Sequence, residues 1–107
     1  MTAKQNNRPR RSAYGDAVPR VGRQGKTKID RIWELEVGER IRAARFAWER
    51  RTGLGIVDLA ELAGISYSIL YCYERASRGP SAINLAKIAA AMEIPAGRLL
   101  PPWPPKG

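Results

Sequence analysis

Three residues, Gly64-Ile65-Ser66, join two short apolar segments and leave them few ways to pack. Upstream, Val57, Leu59, Ala60, Leu62 and Ala63 make a mostly buried helix over about 56–63. Gly64 supplies a left-handed stop. Ser66 then caps a helix over about 67–75, because its hydroxyl can accept a free amide of the first turn. Only Gly64 and Ile65 lie between the end of one helix and the cap of the next. So short a link makes the two helices cross steeply instead of running antiparallel. Ala60 is small enough to let them approach, and Ile65 and Leu70 fill the angle.

The flanking segments are helical as well, and no window alternates as a strand would. Val37, Ile41, Ala44 and Trp48 form one stripe of a helix over about 34–51. Glu34, Glu36 and Glu39 stand near its start and Arg50 and Arg51 near its end, as the helix dipole favours. Thr52-Gly53 ends it. After Gly79-Pro80, Ser81 caps a fourth helix over about 82–92, with Ile83, Leu85-Ala86, Ile88-Ala89 and Met92 as its buried stripe. A short fifth helix starts near Pro95, packs Leu99 and Leu100 inward, and is stopped by Pro101-Pro102. The expected architecture is all-α: a compact five-helix domain over 32–100. A Pro-rich tail, PPWPPKG, follows over 101–107, and Trp103 there either folds back or serves a partner. A core this small is marginal alone, and dimerisation would help it.

Charge divides the chain. The 107 residues carry 19 Lys+Arg and 10 Asp+Glu, a net +9. Residues 1–31 hold Lys4, Arg8, Arg10, Arg11, Arg20, Arg23, Lys26, Lys28 and Arg31 against Asp16 and Asp30. Their few apolar residues show no period, so this segment is expected to be disordered. It reads either as a solubilising tail or as a basic arm for a polyanion such as nucleic acid. Histidine is absent, which excludes a His-based triad or His-ligated zinc. The single cysteine, Cys72, forms no intrachain disulfide and suits a reducing compartment. There is no membrane-length apolar run and no signal-peptide pattern. With no paired carboxylates, nucleophile–base set or phosphate loop, an enzyme is not expected. Neither a cofactor, a metal nor a small-molecule ligand is implied, and the expected location is the bacterial cytoplasm or nucleoid.

Five short motifs, in order, resemble the Cro and lambda-repressor type (XRE-like) helix-turn-helix DNA-binding family. They are Gly38-Glu39-Arg40-Ile41-Arg42, Leu59 through Ser66, Glu74-Arg75 with Gly79-Pro80-Ser81, Leu85 through Ala89, and Ile94-Pro95 with Leu99-Leu100. The resemblance implies a lambda-repressor-like domain whose third helix enters the major groove of double-stranded DNA. Tyr67, Ser68, Tyr71 and Cys72 would then face the bases, and Leu70 and Tyr73 the core. Arg75, Ser77 and Arg78 would touch phosphate. Arg45 and Glu74 occupy positions that pair structurally in family members. An arm ahead of the first helix wraps DNA in the family, which would engage Arg8, Arg10, Arg11, Arg20, Arg23, Lys26 and Lys28.

This chain departs from the family pattern in three places. Arg45 to Leu59 is four residues longer than usual. The extra length adds about a turn to the first helix and moves Arg50 and Arg51, which either meet phosphate or only complement the helix dipole. Ile56 stands where a phosphate-binding Gln is common, leaving its backbone amide. The groove-facing positions lack Arg, Asn, Gln and Lys, the types that make bidentate base contacts. Either the arm and DNA shape supply specificity, or this face meets a protein or a dimer mate. Trp33 and Trp48 suit core or dimer contacts, and Cys72 suits an inert side chain. The expected function is a sequence-specific, homodimeric transcriptional regulator, a repressor of the phage or immunity type. The alternatives are a protein-interaction module on the same scaffold, such as an antitoxin or an inhibitor of another regulator, and an RNA-binding arm.

Overall fold

A computed structural model describes residues 27–105, which form α1 (Lys28–Thr52), α2 (Ile56–Ala63), α3 (Tyr67–Glu74), α4 (Ala82–Met92) and a 3₁₀ turn (Ala96–Leu99). There is no strand among the described residues. The fifth helix of the sequence reading is this single 3₁₀ turn.

α1 begins six residues earlier than its apolar stripe suggests. Thr27 and Asp30 form a reciprocal capping box: the Thr27 hydroxyl accepts from the Asp30 amide at 3.1 Å, and the Asp30 carboxylate accepts from the Thr27 amide at 3.0 Å. Residues 28–31, including Lys28 and Arg31, therefore belong to the helix and not to an arm. The helix has 25 residues and is about 37 Å long. It ends where expected, at Gly53, whose φ is 77°.

The core lies where the four helices converge. Val37, Ile41, Leu59, Leu70, Ile88, Met92 and Leu99 are its fully buried side chains, and Trp48 joins them. Four residues expected inside are instead on the surface: Val57, Leu62, Ile83 and Leu100. Ala86 is exposed too. The stripe α2 buries is Leu59, Ala60 and Ala63, and Val57 and Leu62 flank it by roughly a third of a turn on either side. Ile83 points away from the Leu85–Ile88–Ala89–Met92 stripe of α4. Leu100 follows the 3₁₀ turn in extended backbone, where neighbouring side chains take opposite sides, so Leu99 alone goes in.

The Pro-rich tail folds back onto α1. Trp33 Nε1 donates to the Pro101 carbonyl at 3.1 Å, and the Trp103 ring meets Trp33 edge-on at 6.3 Å. Among the described residues no single helix is long and apolar enough to cross a membrane.

Candidate nucleic-acid interface

The site starts from the turn. Gly64 has a φ of 75°, a left-handed conformation that costs a residue with a Cβ. Its amide and that of Ile65 reach back to Glu61 and Ala60, closing α2. Ser66 then caps α3, its hydroxyl accepting from the Ile69 amide at 3.1 Å. The chain turns through 110° from α2 to α3. α3 is only eight residues long and would not hold its shape alone. Its inner face does that work.

Four features fix this inner face. Leu70 is fully buried and Tyr73 nearly so. Across α1, a Cβ on Gly38 would lie 2.7 Å from the Tyr73 carbonyl oxygen and 2.8 Å from that of Glu74. α1 and α3 therefore cross backbone against backbone, and glycine is required by that approach. Beside the crossing, Arg45 grips Glu74 bidentately: Nε to Oε2 at 2.5 Å and Nη2 to Oε1 at 2.7 Å. Glu49 takes Arg45 Nη1 at 2.5 Å. The Glu74 side chain is 3% exposed and that of Arg45 is 11% exposed. The hydrogen bonds to Glu74 hold the Arg45 guanidinium above its ordinary value, against the opposing effect of burial. On the other side, Asn84 Nδ2 of α4 donates to the Tyr73 hydroxyl at 2.7 Å.

The outer face is free. Tyr67 and Tyr71 are 48% and 44% exposed. Ser68 is exposed and Cys72 half-buried. At 100° per residue these four and Arg75 share one side of α3. The two tyrosine rings stack with centroids 6.3 Å apart at 30°. Arg75 lies over the Tyr71 ring at 5.2 Å and donates to its hydroxyl at 3.1 Å. The only acid on α3, Glu74, is buried in its pair, so the outward face carries no carboxylate.

The loop after α3 is bound from two directions. Ala76 is buried with φ 60°, and its carbonyl accepts from Arg31 Nη1 of α1. The Ser77 amide donates to the Cys72 carbonyl at 3.0 Å, leaving Ser77 and Arg78 exposed at the loop surface. Arg75, Ser77 and Arg78 thus sit together beside the outer face of α3. Arg50 and Arg51 are exposed at the far end of α1, and Arg51 reaches the last carbonyl of α4, Met92, at 3.4 Å. They stand at two helix ends, at the opposite end of α1 from Arg31 and the loop it touches. Lys28 is exposed in the first turn of α1. Arg8, Arg10, Arg11, Arg20, Arg23 and Lys26 lie outside the described residues.

Sequence reasoning missed Arg31 and Asn84, which anchor the loop and α3. Each acts across a large separation in the chain, 45 and 11 residues, and no local pattern marks such a contact. Among the described residues no group of three His, Cys, Asp or Glu side chains is placed to hold a metal ion.

The comparisons agree with this geometry. The helix-turn-helix family pattern matches residues 49–99. No curated protein matches the chain. Among solved structures, the chain is similar to the restriction-modification controller protein C.AhdI from Aeromonas hydrophila. Identity is 33%, over 63% of this chain and 96% of that one, with a TM-score of 0.56. A steep two-helix turn, a third helix pinned from behind and open in front, the helix-turn-helix pattern over 49–99, and this degree of identity over nearly all of that controller protein place the chain in the XRE-type helix-turn-helix family.

Proposed function

We propose that this chain is a sequence-specific transcriptional regulator that lays α3 in the major groove of double-stranded DNA, acting as a repressor of the phage or immunity type. The observation that carries the reading is the outer face of α3. Tyr67, Ser68, Tyr71 and Cys72 face away from the core on a helix whose position is fixed from behind. The family supports a non-enzymatic DNA-binding regulator, and the likeness to a restriction-modification controller supports a role in controlling transcription.

Each element then has a part. α3 meets base edges, while Arg75, Ser77 and Arg78 meet the backbone next to it. The amides at the start of α2, with Ile56 first, add a phosphate contact through the helix dipole. The basic segment ahead of α1 holds DNA without regard to sequence and makes binding salt-dependent. Arg31 touches the loop carrying Ser77 and Arg78. Thr27, the first described residue, is thus about one turn of α1 from the side chain that touches this loop. One eight-residue helix covers too few base pairs for tight specific binding, so two copies would act on a two-fold operator with half-sites about one helical turn apart.

Fluorescence anisotropy against DNA from upstream of the chain's own gene, with scrambled DNA of equal length as control, tests this reading. A preference of at least about a thousandfold at physiological salt is expected of a specific regulator. Equal binding to both DNAs, collapsing as salt rises, would leave only electrostatic attachment.

A further inference from the structure

We infer that the outer face of α3 recognises the C5-methyl group of pyrimidines in the major groove, so that sequence is read by methyl contacts in place of bidentate hydrogen bonds. The inference rests on the major-groove reading of α3 proposed above and names what that helix reads.

The first ground is the donor and acceptor set. Tyr67, Ser68, Tyr71 and Cys72 include no guanidinium, ammonium or amide, and the Arg75 guanidinium on the same side is taken up by the Tyr71 ring and hydroxyl. The forked contacts that define a guanine or an adenine need those groups. A single hydroxyl donates once and accepts from any direction, so Ser68 and the tyrosine hydroxyls discriminate poorly alone.

The second ground is the apolar area on offer. Tyr67 and Tyr71 stand 48% and 44% exposed on the same side of the helix, and Cys72, the next residue, is half-buried. Facing DNA, such a surface has one large apolar group to meet in the major groove. That group is the methyl at C5, carried by thymine or by 5-methylcytosine. The rest of each edge is hydrogen-bonding atoms and the small C–H groups of cytosine C5 and purine C8.

The third ground is order. The Tyr67 and Tyr71 rings are stacked, and Arg75 both lies over Tyr71 and donates to its hydroxyl. Side chains already held in place lose little freedom on binding, so a small contact retains its full effect. The same Arg75 stands at the edge of the loop that meets phosphate, which ties the ring positions to the register of the helix on the duplex. Removing one methyl from such a contact should weaken binding about fourfold, the equivalent of ~0.8 kcal/mol.

The test uses the full chain and duplexes enriched from a random-sequence pool. Thymines in the enriched duplex are replaced one at a time by deoxyuridine, which pairs identically and lacks only the methyl. We expect about a fourfold loss of affinity at one or more positions of the motif. The loss should vanish in Tyr67→Ala or Tyr71→Ala, both exposed positions whose folding is checked by circular dichroism. At the sensitive positions, cytosine and 5-methylcytosine duplexes separate the two sources of the methyl. A gain on methylating cytosine assigns the contact to the methyl on either base, and no gain assigns it to thymine. Deoxyuridine duplexes bound as tightly as the parent, with the preference over scrambled DNA intact, would overturn the inference and leave the major-groove reading standing. If no sequence is enriched from the pool, the major-groove reading fails and this inference fails with it.

Discussion

α3 has two faces that follow different rules. The inner face is determined several times over: Leu70 fills the core, Gly38 permits a backbone crossing, Arg45 holds Glu74, and Asn84 holds Tyr73. The outer face, more than a third of a turn away, touches little besides itself: Tyr67 on Tyr71, and Tyr71 under Arg75. The difference teaches how a short helix can be held in place with one face left open. Its stability comes from the inward residues, and that frees the outward positions from most structural duty. Substitutions on the two faces should therefore separate cleanly into losses of folding and losses of recognition.

The largest effect should come from the centre of the inner face. Leu70→Ala removes a fully buried side chain at the crossing of three helices and should cost about 4 kcal/mol of unfolding free energy in urea titration. Glu74→Ala should cost about 3 kcal/mol. The lower figure follows because Arg45 keeps Glu49 as a partner at 2.5 Å. Removing both charges, as Arg45→Met with Glu74→Leu, should recover most of that loss, since the penalty is the uncompensated charge. Arg45 has its value raised by the pair, so its contribution is complete below the ordinary arginine value and is lost only above the raised one. Stability across the neutral range should show no step from this group. Gly38→Ala should cost about 2 kcal/mol, because its Cβ would press on two backbone carbonyls that cannot yield as a side chain tip would.

The outer region should respond in the opposite way. Deleting residues 1–26, which carry seven basic groups, should leave the melting temperature of the domain in place. It should lower the slope of log affinity against log salt by several units, at about 0.9 per phosphate contact. An unchanged slope would remove the basic segment from the mechanism. This deletion spares the capping box at Thr27 and Asp30, which a cut after residue 31 would destroy.

Much of the inner architecture was legible in the sequence, because it is written in local chemistry. Gly64-Ile65-Ser66 specifies a stop, a wedge and a cap within three residues, and the structure has each of them. The Val37–Ile41–Trp48 stripe is buried as its spacing requires. The start of α1 was also written, as Thr27-x-x-Asp30, but it lay inside a charged segment whose composition reads as disorder. Val57, Leu62 and Ile83 misled for another reason. A helix in so small a domain has neighbours on one side only, so an apolar residue off that side stays in solvent. The clasp of Trp103 on Trp33 and the grip of Arg31 on Ala76 join residues far apart in sequence, and only the assembled fold brings them together. On the candidate site, the sequence supplies residue types. It does not supply the stacking that ties Tyr67, Tyr71 and Arg75 into one unit.

The most direct test of the central claim is a comparison of the Tyr67→Ala/Tyr71→Ala double variant with the unaltered chain on enriched and scrambled duplexes, alongside urea unfolding of both proteins. The account predicts unfolding free energies within about 0.5 kcal/mol of one another, as for surface substitutions. It also predicts unchanged binding to scrambled DNA and a large loss on the enriched duplex alone. An equal loss on both DNAs, or no loss on either, would contradict the claim that the outer face of α3 reads sequence.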